Sequence, residues 1–186
     1  MGSRYYGNGG EKELTENKTP GDDFLASVCI DWEKEALRAT QTGCRVVLMR
    51  FGVVLGKHGG ALEKMIPAFK LFAGGPLGKG THWFPWIHME DLTAAILFLI
   101  ENQTLSGPFN FCAPETIRQK TFAKELGSAL KRPSFMPAPA FMMKLALGEM
   151  SNAIMSSQKA IPNALIQEGF QFNFPHLSAA LRDIIN

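Results

Sequence analysis

The chain has 186 residues, 46% apolar and 19% charged, a length and balance that suit one globular domain or one and a fraction and exclude disorder. Lys and Arg number 19 against 17 acids, and a net charge of +2 excludes nucleic-acid binding by backbone electrostatics. The longest apolar run, Ala94–Ile100, falls far short of the ~20 residues of a membrane helix, and the first ten residues are polar and Gly-rich, unlike a secretory signal.

Those ten residues read as a strand end and loop rather than the start of a domain, with Met1-Gly2-Ser3 equally a cloning remnant or a native start. A polar loop over 11–21 leads to Thr19-Pro20, a helix-start signal, and Asp22 and Asp23 suit the positive end of a helix dipole. The spacing predicts a helix from about Pro20 to Thr40 with Phe24, Val28, Trp32 and Ala36 inward, ended by Gly43. Arg45–Arg50 is too short for a helix and reads as a buried parallel strand. Gly52–Gly56 carries the chain off its carboxyl end, the edge where ligands bind in open α/β sheets. An amphipathic helix over 61–72 carries a kink at Pro67. Gly74–Gly80 is a loop, His82–His88 a short strand, 90–102 a helix and Phe109–Cys112 another short strand. Thr116 and Gln119 form a capping box for a helix to about Lys131. Pro133, Pro137 and Pro139 break the chain before a Met-rich helix near 141–148. Residues 158–168 read as helical around Pro162 and end at Gly169. Phe170–Phe174 alternates as a half-buried strand, and Leu177–Ile185 closes the chain as a helix.

No Walker motif is present: three residues, not four, separate Gly74 from Gly78, and Gly80 follows Lys79 where Ser or Thr is needed. No GxGxxG follows a strand. The three cysteines, Cys29, Cys44 and Cys112, are odd in number and contain no CxxC, so neither a disulfide framework nor a zinc site is expected, and the usage fits the reducing cytoplasm.

Several motifs together resemble an atypical extended short-chain dehydrogenase/reductase. They are Tyr5-Tyr6-Gly7, Leu14-Thr15-Glu16, Cys29-x-x-Trp32-Glu33 and Arg50-x-Gly52-Val53-Val54-Leu55. Further along come Gly74-Gly75-Pro76-x-Gly78-x-Gly80, Phe84-Pro85-Trp86-Ile87-His88-x-x-Asp91 and Gly107-Pro108-x-Asn110. The group resembled is that of epimerase family proteins, similar to nucleoside-diphosphate-sugar epimerases. Gln158-Lys159-x-x-Pro162 and Gly169-Phe170-x-Phe172 resemble its C-terminal segment, a domain of unknown function.

The resemblance implies an α/β fold: the C-terminal part of a Rossmann-type NAD(P)-binding sheet plus a small, mainly helical substrate domain. Residues 1–56 would be the later part of the Rossmann domain, 57–186 the substrate side, with 108–113 returning to the sheet and 135–186 the family's C-terminal segment. It also implies an upstream half with the pyrophosphate loop, in a protein of about 300 residues. The cofactor is NADP or NAD, with Tyr5, Tyr6, Cys29, Arg50, Gly52, Val53 and Val54 on the cofactor side. Met65, Lys79, His82, Trp83, Trp86 and His88 would face a small-molecule substrate, a nucleotide-sugar or a small carbonyl or hydroxyl compound.

The family's proton-transfer dyad, Tyr with Lys four residues on, is missing. Gly9 and Gly10 follow the two tyrosines at that spacing, and the helix offers Phe24 with Val28 or Leu25 with Cys29. Catalytic residues are therefore unassigned. The readings are an NAD(P)-dependent epimerase or oxidoreductase by a non-standard route, or a non-catalytic NADP(H)-binding sensor or scaffold. Self-association through an uncovered sheet edge is a third expectation.

Each candidate also has a packing explanation. His88 and Asp91 could cap a helix, Trp83 and Trp86 could pack, and Cys29 could be a small core residue. Arg50 could pair with a carboxylate, and the methionines (Met136, Met142, Met143, Met150, Met155) could be core.

Overall fold

The computed structural model describes residues 3–136 and 155–185. A 3-10 turn, Ser3–Tyr6, leads into a loop holding a two-residue strand, Glu13–Leu14 (β1). The first helix, Phe24–Leu37 (α1), begins at Phe24 rather than Pro20, because the Asp23 side chain accepts the Ala26 N–H at 2.8 Å and caps the first turn. Arg38–Thr42 follow as a 3-10 turn closed by Gly43.

The face of α1 corrects the expected stripe. Phe24 is 79% and Trp32 56% exposed, whereas Ala26, Cys29 and Glu33 are buried. Apolar periodicity could not register this, because the inward face is set by an ion pair to Glu33.

Next come Val47–Phe51 (β2), Val53–Leu55 (β3), Gly60–Lys70 (α2), Trp86–His88 (β4), Met89–Glu101 (α3), Gly107–Phe111 (β5) and Gln119–Ala129 (α4). The C-terminal part holds Lys159–Ala160 (β6), Asn163–Gln167 (α5) and Leu177–Ile185 (α6). The three strand pairs among the described residues are parallel, β2 with β5, β3 with β4, and β1 with β6, and a single antiparallel bridge joins Trp83 to Arg118. Parallel neighbours require crossovers, which the helices supply. Gly52 separates β2 from β3 at a crossing with the 85–86 backbone. A Cβ there would lie 2.9 Å from the Pro85 carbonyl group.

Three expectations change. The capping box does not form: Arg118 is the N-cap of α4 without a side-chain bond, and Gln119 turns to accept the Leu77 N–H at 2.8 Å. Loop carbonyls serve the first turn instead, His82 O taking the Gln119 N–H and Gly80 O the Lys120 N–H. Residues 159–160 are a strand rather than helix, and α5 starts only after Pro162. Phe170–Phe174 forms no strand, because the N–H groups of Asn173 and Phe174 go to the Asp91 carboxylate. The Met-rich helix near 141–148 lies outside the described residues, as do Pro137, Pro139, Met142, Met143 and Met150.

Two apolar clusters hold the layers together. One joins Leu55, Leu62, Phe69 and Trp86 to Phe122, Leu126, Leu177 and Leu181; the other joins Ile87, Ala95 and Leu99 to Phe109, Phe111, Leu165 and Phe170.

Candidate functional site

The carboxyl end of β2 and β5 carries a buried polar network rather than free ligand groups. Arg50, 3% exposed, donates two bonds to Glu33, Nε to Oε1 at 2.8 Å and Nη2 to Oε2 at 2.7 Å. Its Nη1 donates to the Tyr6 hydroxyl at 2.9 Å and to Glu16 O at 3.1 Å, and its guanidinium lies 3.5 Å from the Tyr5 ring centroid. Tyr6 donates onward to Asn110 Oδ1 at 2.8 Å. The Asn110 amide bonds Leu14 O and Ile161 O, and Glu16 Oε1 accepts from the Asn110 and Ala164 N–H groups. Burial opposes the charge on Arg50, and Glu33 with Tyr6 outweighs it, so its pKa lies above the ordinary value. The network ties the N-terminal turn, α1, β2, β5 and the C-terminal segment at one point.

Tyr6 and Arg50 therefore form a lock. A guanidinium beside a tyrosine lowers the phenol pKa, as the Lys of the missing dyad would, but burial dominates here and pushes the Tyr6 phenol up to about 12. Raised above the unfolded value, this pKa contributes stability that is complete below pH ~10 and is lost as pH rises towards ~12. Phenolate absorbance should show Tyr6 ionising with alkaline unfolding, and Tyr6→Phe should remove that part of the pH dependence. Ionisation of Tyr6 near pH ~10 in the folded protein would contradict it.

A cavity of about 740 Å³ opens beside the network, lined by Tyr6, Asn8, Gly9 and the 12–15 and 18–22 stretches. Gly21 forms one wall where the loop crosses itself; a Cβ there would lie 2.6 Å from Gly7 Cα. Lys12 and Lys18 bring positive charge, while Glu13 is paired to Lys159 at 2.9 Å.

Of the predicted residues only Tyr6 lines this cavity. Cys29 is buried against α1's inner neighbours, and burial raises its thiol pKa. Gly52 N–H bonds Phe111 O and Val53 N–H bonds Pro85 O, so neither is a free donor, and Val53 and Val54 continue into the β3–β4 ladder. Met65 packs on the first apolar cluster, and Lys79 is exposed. Trp83 lies under Arg118, whose guanidinium is 3.9 Å from its ring, and its Nε1 donates to Glu11 at 3.2 Å. Trp86 is fully buried in the core. His82, held neutral by burial, is half-buried. Its Nε2, Trp86 Nε1 and Gln119 Nε2 have no hydrogen-bond partner among the described residues.

His88 and Asp91 dock the C-terminal segment. His88 Nδ1 accepts the Glu90 N–H at 3.2 Å, capping α3, and its ring stacks 3.9 Å from Phe174. Its Nε2 lies 3.4 Å from Asp183, an ion-pair separation without hydrogen-bond geometry. Asp91, fully buried, accepts from Asn173 at 2.7 Å and Phe174 at 2.9 Å. The residues that sequence reasoning passed over as a site are the cavity loop and the network partners Glu16, Glu33 and Asn110. Glu16, Glu33 and Asn110 each stand in one of the motifs quoted above, and only Asn110 is a polar residue inside an apolar run, Phe109–Cys112.

Parallel strands with helical crossovers, and a loop cleft at the strands' carboxyl end, define a Rossmann-type α/β protein. A family model described as NAD dependent epimerase/dehydratase family matches residues 2–112, and one described as a domain of unknown function (DUF1731) matches 138–184. The chain belongs to the NAD dependent epimerase/dehydratase family. It is similar to the Arabidopsis thaliana chloroplastic epimerase family protein SDR39U1 homolog, 44% identical over 181 residues that make up 97% of this chain and 52% of that protein. An epimerase family protein of Staphylococcus aureus is 45% identical over 90% of this chain and 56% of its own length, so the chain spans about half the length of these relatives. Human epimerase family protein SDR39U1, solved with NADPH, aligns over all of this chain and 63% of its own, with TM-score 0.94 and 36% identity. A Corynebacterium glutamicum nucleoside-diphosphate sugar epimerase aligns over all of this chain and 36% of its own, with TM-score 0.79 and 33% identity. Among the described residues no helix is long and apolar enough to cross a membrane.

Proposed function

We propose that the protein binds NADP(H) or NAD(H) and acts on a nucleotide-sugar or small carbonyl or hydroxyl compound as an epimerase or oxidoreductase. What carries this reading is the likeness, along the whole chain, to the human protein solved with NADPH. In it, residues 1–56 with 108–113 supply the Rossmann part and 57–186 the substrate side. The cofactor supplies hydride transfer when bound.

The fit to such a cofactor is one of shape. The half-buried Gly52, Val53 and Val54 lie at the strands' carboxyl edge, while Arg50, Tyr6 and Asn110 are held by one another. This chain would therefore contact the nicotinamide end by backbone and van der Waals surface, with the network setting the height of the cleft floor. Met65, Lys79, His82 and Trp83 remain assigned to the substrate side, burial lowering the His82 pKa, whereas Trp86 and His88, 0% and 3% exposed, offer it almost no surface. The cysteines, all free, suit a reducing compartment, the cytoplasm or, as for the plant relative, a plastid. Among the described residues β2 pairs only with β5, which leaves an edge through which a second copy could associate.

A second reading has its own support. The dyad positions hold an exposed Phe24 with Val28, or Leu25 with a buried Cys29, and the Tyr6 phenol is locked. That set suits cofactor binding without turnover, as in a sensor or scaffold. Titrating the full-length protein with NADPH and NADH should give saturable binding; none at millimolar cofactor would sink both readings. Hydride transfer across a sugar-nucleotide and carbonyl panel then separates enzyme from sensor.

A further inference from the structure

The cleft wall, residues 7–14, is glycine-rich, and its ordering is costly without outside support. That support comes from about 150 residues away in sequence. Gly9 N–H donates to Ser157 O at 2.9 Å, and Asn8 Oδ1 accepts the Ser157 N–H at 3.2 Å. The Ser157 hydroxyl donates to Gly10 O at 3.0 Å and accepts the Trp83 N–H at 3.1 Å. Gln158, 3% exposed, donates its Nε2 to Gly7 O at 2.9 Å, and its backbone N–H reaches Trp83 O at 3.4 Å. Immediately after, β6 pairs with β1, Glu13 opposite Lys159 and Leu14 opposite Ala160.

We infer that Ser157 and Gln158 are positioning residues: the C-terminal segment is a clamp that holds the cleft loop at a set distance from Trp83. Two features separate this from a connector that happens to pass. A buried amide side chain is directed at a loop carbonyl, and one hydroxyl joins the cleft loop to the Trp83 backbone. The clamp thus gives part of the unassigned C-terminal domain a role in shaping the cleft, and it rests on the proposal that the cleft takes a ligand.

The test uses the full-length protein with Ser157→Ala, Ser157→Thr and Gln158→Leu, with UDP-glucose and NADPH as probes. Hydrogen exchange of amides 9–14 should quicken at least tenfold in Ser157→Ala and Gln158→Leu, while amides of β2 and β5 keep their rates. UDP-glucose affinity should fall at least tenfold in the same two variants, and Ser157→Thr, which keeps the hydroxyl, should match the parent in both. Ser157→Ala, the smaller change, carries the test if Gln158→Leu does not fold. Unchanged exchange at 9–14, or acceleration spread equally over β2 and β5, overturns the clamp. So does unchanged UDP-glucose affinity in a variant whose loop has loosened. A parent that binds neither probe removes the proposed function, and exchange alone then decides the clamp.

Discussion

Arg50→Met is expected to destabilise the protein by about 3–5 kcal/mol, the cost of leaving a buried carboxylate without its cation. The Glu33 carboxylate is buried and takes two of the guanidinium's donors, and the Tyr6 hydroxyl and Glu16 carbonyl take others. Removing Arg50 strands all of them at once. Adding Glu33→Leu should restore most of the loss, since an apolar pair of similar volume carries no uncompensated charge. Denaturant midpoints at constant slope measure both effects. A loss under about 1 kcal/mol, or loss of NADPH binding with stability intact, would make Arg50 a ligand rather than the centre of a lock.

Asp91→Ala should cost about 2–4 kcal/mol, because it breaks two part-buried bonds and leaves the Asn173 and Phe174 N–H groups without their acceptor. The loss should be local in its consequences. The 170–176 stretch, stacked on His88 through Phe174, should become the first site of proteolytic cleavage. Asp91→Asn keeps one acceptor oxygen and should fall in between. An alanine variant with parental stability and parental protease resistance would remove the docking role.

Much of the fold was legible. The helix–strand alternation from 24 to 55, the helix after His88 and the closing helix follow from periodicities that local sequence carries, and the motifs pointed to the family. The capping box and the start of α1 were not legible, because a Gln or Asp has several backbone partners within reach and only packing chooses among them. Gln119 chose Leu77 in the glycine loop, and Asp23 took the cap. The 170–174 alternation reads as a strand, but the N–H groups of Asn173 and Phe174 are claimed by Asp91, 82 and 83 positions away.

The candidate site divides in the same way. His88 could be placed beside a helix start by sequence alone, and it caps that helix; that it also stacks on Phe174 depends on a segment far away in the chain. Trp86 and His82 were both candidates for the substrate side, yet one is enclosed in the core and the other half-buried.

Composition and local pattern by themselves determined that this is a globular α/β chain in which neither tyrosine is followed four residues on by Lys, because residue type and spacing are local properties, and the motifs added a resemblance to the epimerase family. Tertiary structure alone decided that Arg50 donates to Tyr6 across 44 positions, that α1 turns Glu33 inward and Trp32 outward, and that Ser157 and Gln158 hold the cleft loop. Each of these is a choice among polar partners separated by between 17 and 151 positions. Burial makes an unpaired polar group costly, and so it fixes which partner each group takes only when the whole chain has closed around it.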